Sequence, residues 1–200
     1  MGKVVAQANM SLDGYVAKQD NSIGRLFDWL QNGEVEMPTP AGDFTLHLTP
    51  PSLEHLQQWV SSLGALVCGR ALFEVAAGWQ GRHTLDVPVV VVTHEVPTEW
   101  VDAHPDAPFT FVTDGVESAI AHAQKIAGDR VVTVTGGTIA KQCLDLGLLD
   151  EVAVDLVPVV MGEGNRPFFG KLSAEDVKLG NPTVCVQGDQ VIHLVFPVER

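Results

Sequence analysis

The chain has 200 residues, 46% of them hydrophobic, and a formal net charge of −13. That length and composition suit one folded domain with a substantial core and exclude a disordered chain. The charge disfavours nucleic acid and anionic membrane as partners, and no apolar run approaches the roughly 20 residues that a membrane span needs.

In chain order, Lys3–Met10 alternates and carries β-branched Val4 and Val5, which predicts a strand. Asp13-Gly14 marks a turn, Tyr15-Val16-Ala17 a short extension, and Phe27–Leu30 a single helical turn. Gly33 to Pro51 holds four prolines and two glycines and reads as a long loop, either a functional lid or a tolerated insertion. Ser52–Leu63 follows as a helix, with Ser52 placed to cap it and Leu53, Leu56, Trp59, Val60 and Leu63 on its apolar side. Ala65–Cys68 is a short buried strand, and Gly69-Arg70 opens a helix through Ala77. Pro88–Thr93 is a continuous apolar run of the kind buried on both faces of a parallel sheet. Phe109–Thr113 is a further strand, Val116–Ala127 a helix and Arg130–Thr135 a strand.

A double glycine, Gly136-Gly137, then leads into a helix from Thr138, with Ile139, Cys143, Leu144 and Leu148 at helical spacing. Such a turn favours phosphate, because glycine lets backbone approach a ligand and the free amides of the helix start point at it. Glu151–Val160 is the next strand. Thr183–Gln187 and Gln190–Pro197 close the chain as a hairpin across Gly188-Asp189. The run VIHLVF within it is a long apolar edge that needs cover, which points to self-association. The three cysteines lie in apolar patterns and predict buried, reduced thiols. The seven histidines form no metal-ligand spacing, so no metal site is expected. Gln7, Asn9, Ser11 and Asp13 interrupt any signal-like core, and a cytoplasmic location is expected.

Three strand ends carry chemistry: Gly69-Arg70 with Glu74, Val92-Thr93-His94, and Gly136-Gly137-Thr138. In an open α/β sheet, ligands bind outside the carboxyl ends of the strands. With Ser11-Leu12-Asp13-Gly14, Gly147–Glu151 and Pro158–Gly164 in the same order, the chain resembles the dihydrofolate reductase-like fold. It is most similar to the reductase domain of bacterial bifunctional deaminase–reductases of riboflavin biosynthesis. The resemblance implies a single α/β domain over residues 1–200, with a mostly parallel central sheet flanked by helices and an antiparallel C-terminal hairpin. It implies NADPH as hydride donor to a C=N or C=O bond of a pyrimidine- or pteridine-like small molecule, as in 5-amino-6-(5-phosphoribosylamino)uracil reductase. It also suggests a homodimer.

By the same resemblance, Gly136, Gly137, Thr138 and Ile139 would cradle the pyrophosphate. Arg70, after Gly69, would lie with Thr93 and His94 near the 2′-phosphate. Ala6 and Ala8 would line the nicotinamide pocket. The proton would come from water or from Asp13, Asp28 or Glu54, and Glu54 stands near the place where dihydrofolate reductases bind the pterin with a carboxylate. Arg70 also suits an ion pair with Glu74 four residues on. The family's Thr two residues after the Arg is Leu72 here, and neither H-x-E nor P-C-x-x-C of a zinc deaminase occurs. A true dihydrofolate reductase and a nucleotide-binding module without catalysis are the alternatives.

Overall fold

The computed structural model describes residues 2–173 and 176–199. Its strands are β1 (Val4–Ser11), β2 (Tyr15–Ala17), β3 (Val35–Pro38), β4 (Thr45–Leu48), β5 (Leu63–Gly69), β6 (Val89–Val92), β7 (Phe109–Val112), β8 (Val131–Thr135), β9 (Glu151–Val157), β10 (Arg166–Pro167), β11 (Val184–Gln187) and β12 (Ile192–Pro197). Its helices are α1 (Pro50–Ser62), α2 (Arg70–Val75), α3 (Thr98–Ala103), α4 (Val116–Ala127) and α5 (Thr138–Asp145). Eight strands form one sheet in the order β11-β12-β9-β1-β8-β5-β6-β7. All its pairs are parallel except β9–β12 and β12–β11.

The sheet is covered on both faces, which is why its strands read as apolar runs. On β6, Val90 packs with α4 and α5, while Val89 and Val91 face Phe73 of α2 and Trp100 of α3. Val116, Ala119, Ile120, Ala123 and Ala127 form the buried stripe of α4 at helical spacing. Lys125 in its last turn and Glu117 in its first agree with the helix dipole.

Several expectations change. Residues 33–51 do not form a long loop: β3 and β4 pair antiparallel from Val35↔Leu48 to Pro38↔Thr45. The Thr39 hydroxyl closes the connection by donating to Asp43 Oδ1 at 2.6 Å. The prolines lie at the end of β3 and beyond it, where a missing N–H costs little. Ser52 does not cap α1. Thr49 takes the cap position in extended backbone, Pro50-Pro51 fills the first turn, and the Ser52 side chain is buried.

The helix from Arg70 stops at Val75. Ala77, Gly78, Trp79 and Gln80 then all adopt positive φ, from 46° to 58°, a left-handed turn that costs strain in three non-glycine residues. It seats Trp79 against His83 and Phe109. The VIHLVF run is no free edge, because β12 lies between β9 and β11. The hairpin loop is longer than two residues: Gly188 donates its N–H to the Val191 carbonyl at 3.0 Å, and β12 starts at Ile192. Cys68 and Cys143 are buried, but Cys185 is exposed on β11. Among the described residues no helix is long and apolar enough to cross a membrane.

Candidate active site

The carboxyl ends of β1, β9, β8, β5 and β6 lie along one edge of the sheet, and the three motifs meet there. Pairing of β1 with β8 runs only to Gln7↔Thr135; beyond it β1 continues alongside β9 alone. The chain turns at this parting. Gly136 donates its N–H to Gln7 O at 3.2 Å. A Cβ at Gly136 would lie 2.9 Å from the Ala8 methyl, so the close approach requires glycine. Gly137 has φ 106° and ψ −148°, and a Cβ there would meet nothing within 4 Å. Its amide is already used, donating to Phe168 O at 2.6 Å. Thr138 and Ile139 begin α5, and amides in a first helical turn have no intrahelical acceptor. The Ile139 side chain is buried, packing beneath Gly69. The cradle is therefore an open space over Gly137, edged by the start of α5, which fits a pyrophosphate.

Arg70 sits at the end of β5, in the wall of an open pocket of about 350 Å³ with Glu95, Val96, Pro97, Thr98, Glu99 and Trp100. Its Nε donates to Glu74 at 2.8 Å and its Nη1 to the Glu95 carbonyl at 3.0 Å. The i,i+4 ion pair is thus formed, and part of the guanidinium still faces the pocket. Thr93 is buried and donates its hydroxyl to the same Glu95 carbonyl at 2.8 Å. Thr93 therefore shapes the turn that holds Arg70, while His94 beside it is exposed. Ala6 is fully buried in the core with Val134 and Ala140, so it lines no pocket; Ala8 is the residue that reaches Gly136.

The three candidate proton donors do not come together. Asp13 accepts from Ser11 Oγ at 2.6 Å and from the amides of Met161 and Gly162. These bonds, led by that from Ser11, hold its carboxyl down at about 2. It stays ionised and clamps the turn after β1 to the segment after β9. Asp28 is exposed on a single 3₁₀ turn. Glu54 is exposed on α1, where Gln58 Nε2 approaches it at 3.4 Å.

What the sequence reading missed lies under α1. Gln7 Nε2 donates to Asp155 Oδ2 at 2.8 Å. His193 Nδ1 and Asp155 Oδ1 are 2.6 Å apart, and His193 Nε2 and Ser52 Oγ are 3.0 Å apart. His55 stacks on His193, centroid to centroid 4.4 Å. Trp29 meets the His193 ring edge-on and donates its Nε1–H to Asn9 Oδ1 at 2.7 Å. The signal was there: Gln7, Asn9, Asp155 and His193 each interrupt an otherwise apolar strand.

Serine, histidine and carboxylate stand in a hydrogen-bonded row, yet Ser52 is no nucleophile. It is 1% exposed, and Gly188 packs against its hydroxyl too closely to admit a Cβ. The ligand atoms of His55, Asp155 and His193 also lie within 4.8 Å of one another, a grouping that the histidine spacing did not foretell. Both His193 nitrogens are engaged, and its ring lies over His55 instead of converging with it on one point. We read the group as a hydrogen-bonded network.

A parallel sheet with this strand order, an antiparallel C-terminal hairpin and a glycine turn at the parting of two central strands defines a dihydrofolate reductase-like fold. The RibD C-terminal domain model matches residues 2–192, and the chain belongs to that family of reductase domains. The uncharacterized protein YwjB of Bacillus subtilis (strain 168) is 26% identical over 173 residues, 86% of each chain. A solved protein from Shewanella sp. PV-4, provisionally assigned to riboflavin biosynthesis, is 21% identical with a TM-score of 0.69 over 99% of both chains. Dihydrofolate reductase from Enterococcus faecalis, solved with NADP(H) and RAB-propyl, is 18% identical with a TM-score of 0.56, covering 100% of this chain and 98% of that one.

Proposed function

We propose that the protein is an NADPH-dependent reductase acting on a C=N or C=O bond of a pyrimidine- or pteridine-like small molecule. The observation that carries this reading is the open cradle over Gly137 at the parting of β1 and β8, with the Arg70 pocket beside it on the same edge. NADPH, when bound, would supply the hydride; orientation and exclusion of water fall to the protein. Gly136, Gly137 and the first turn of α5 would hold the pyrophosphate. Arg70, steadied by the Thr93–Glu95 turn, would meet the 2′-phosphate. Ala8, whose methyl lies against Gly136, would border the nicotinamide end of the cofactor where β1 leaves β8.

The substrate would lie on the α1 side of β1, next to a hollow of about 10 Å³, room for one water, that Gln7 and His55 line with Leu56, Trp59 and Asp155. A pterin-binding carboxylate of the dihydrofolate reductase kind is not built at Glu54, which points to solvent. This favours a pyrimidine substrate over dihydrofolate. We further propose one domain spanning the chain, a cytoplasmic location and a homodimer, the exposed Cys185 and Gln187 on the outer strand β11 leaving that edge free to pair.

The test is NADPH oxidation followed by absorbance, with 5-amino-6-(5-phosphoribosylamino)uracil and 7,8-dihydrofolate offered in turn. Oxidation with the first and not the second supports the reading. NADPH that neither binds nor is oxidised with either one overturns it.

A further inference from the structure

Reduction of a C=N or C=O bond needs a proton as well as a hydride, and the carboxylates that the sequence offered for it are unsuited. Asp13 is tied down as an anion, while Asp28 and Glu54 face solvent. Of the titratable side chains in α1, Glu54 points outward and His55 points toward the sheet, at the level of Gln7, the last residue of β1 paired with β8. Among the described residues the His55 ring nitrogens have no hydrogen-bond partner, unlike those of His193 beneath it. A half-buried imidazole with free nitrogens, stacked on a fixed one, is placed and yet uncommitted.

We propose that His55 is the catalytic acid, giving its proton to the substrate's nitrogen or oxygen, and that Asp155 and His193 are positioning residues that hold its ring. The proposal rests on the reductase reading above. As the substrate carbon accepts the hydride from NADPH, the π pair of its C=N or C=O bond moves to the heteroatom. That atom takes the proton from the His55 imidazolium. Neutral imidazole and NADP⁺ remain, and water returns a proton to His55.

Two titratable groups face His55 from the packed strands, His193 on β12 and Asp155 on β9. Burial, and then the His193 charge, push its pKa below the usual 6.5, while the Asp155 carboxylate opposes them. The proton is thus held loosely, as suits an acid that must release it.

The experiment is single-turnover oxidation of bound NADPH with 5-amino-6-(5-phosphoribosylamino)uracil, from about pH 5 to about pH 8, the range in which histidine titrates. Wild type, His55→Gln and Asp155→Asn are compared, with NADPH affinity measured by fluorescence and folding by circular dichroism. Wild-type rates should fall as pH rises. His55→Gln should be slower by about a hundredfold or more at the acid end and lose the pH slope, with NADPH affinity unchanged, since general acids contribute about 10² to 10⁴. Asp155→Asn should keep the slope but shift it to lower pH, because the charge that supports the imidazolium is gone; a merely structural role would not move the profile. Wild-type rate and slope in a folded His55→Gln variant overturn the inference and leave the reductase reading standing. So does an Asp155→Asn profile that does not shift, for the positioning role. Wild type that binds NADPH but never oxidises it overturns the reading, and the inference falls with it.

Discussion

Replacing Arg70 with alanine should weaken NADPH binding about tenfold and leave NADH almost untouched. The guanidinium has three nitrogens. Nε is engaged by Glu74 at 2.8 Å and Nη1 by the Glu95 carbonyl at 3.0 Å, so the remaining Nη2 is the group best placed to meet a 2′-phosphate in the pocket. Hydrogen bonds to charged groups contribute roughly 1.5–3 kcal/mol. Here the lower end applies, since the side chain is 34% exposed and Glu74 already offsets its charge. About 1.4 kcal/mol corresponds to a factor of ten. The same geometry predicts the opposite sign at Glu74. Glu74→Gln should tighten NADPH by a few-fold, because it frees Arg70 from its carboxylate, and Glu99→Gln should do so more weakly. Titration calorimetry with both cofactors measures all four proteins. Equal weakening of NADPH and NADH by Arg70→Ala would refute the 2′-phosphate role, and so would tighter NADPH binding on removal of the arginine.

Gly137→Val should abolish NADPH binding. Its φ of 106° strains any side chain, by about 1–3 kcal/mol, but a Cβ there meets nothing, so a folded protein with a lower melting temperature is expected; retained NADPH affinity would move the cofactor elsewhere. His83 is buried and neutral, with Nδ1 accepting the Leu85 amide, and burial lowers its pKa to about 4. The unfolded chain takes up this proton first, so stability is complete above the usual 6.5 and is lost as pH falls toward about 4, by the order of 3 kcal/mol at most. Urea melts of wild type and His83→Gln across that range should converge in slope only if His83 is not responsible. Asp13 acts in the same direction in a lower window: its hydrogen bonds to Ser11, Gly162 and Met161 hold from the usual 3.8 upward and are lost as pH falls through about 2. Asp13→Asn should speed amide exchange at Met161 and Gly162 at neutral pH.

How much of this was legible depended on whether local chemistry and packing agreed. Val89–Val92 could only be a doubly buried strand, and the stripe of α4 gave bounds of Val116 and Ala127 that the structure keeps. The hairpin of β3 and β4 was hidden because its alternation is only two residues deep on each strand and Pro38 stands within it. Ser52 looked like a cap by residue type, yet Pro50-Pro51 had already set the helix start, and its hydroxyl instead meets His193, 141 residues away. Nothing local in Ala77, Trp79 or Gln80 announces a left-handed turn, since their neighbours in space impose it. At the site, the positions of the glycine turn and Arg70 at strand ends were legible, because strand, glycine and helix follow one another in the sequence. The stacking of His55 on His193 was not, because Asp155 and His193 stand on distant strands.

The most direct test is amide NMR of the protein titrated with NADPH. The account predicts saturable shifts centred on Gly136, Gly137, Thr138 and Ile139, with a second group from Arg70 to Glu74 and from Thr93 to Glu99 that NADH produces more weakly. Shifts that avoid the start of α5, or no binding at concentrations where such cofactors saturate reductases, would contradict it.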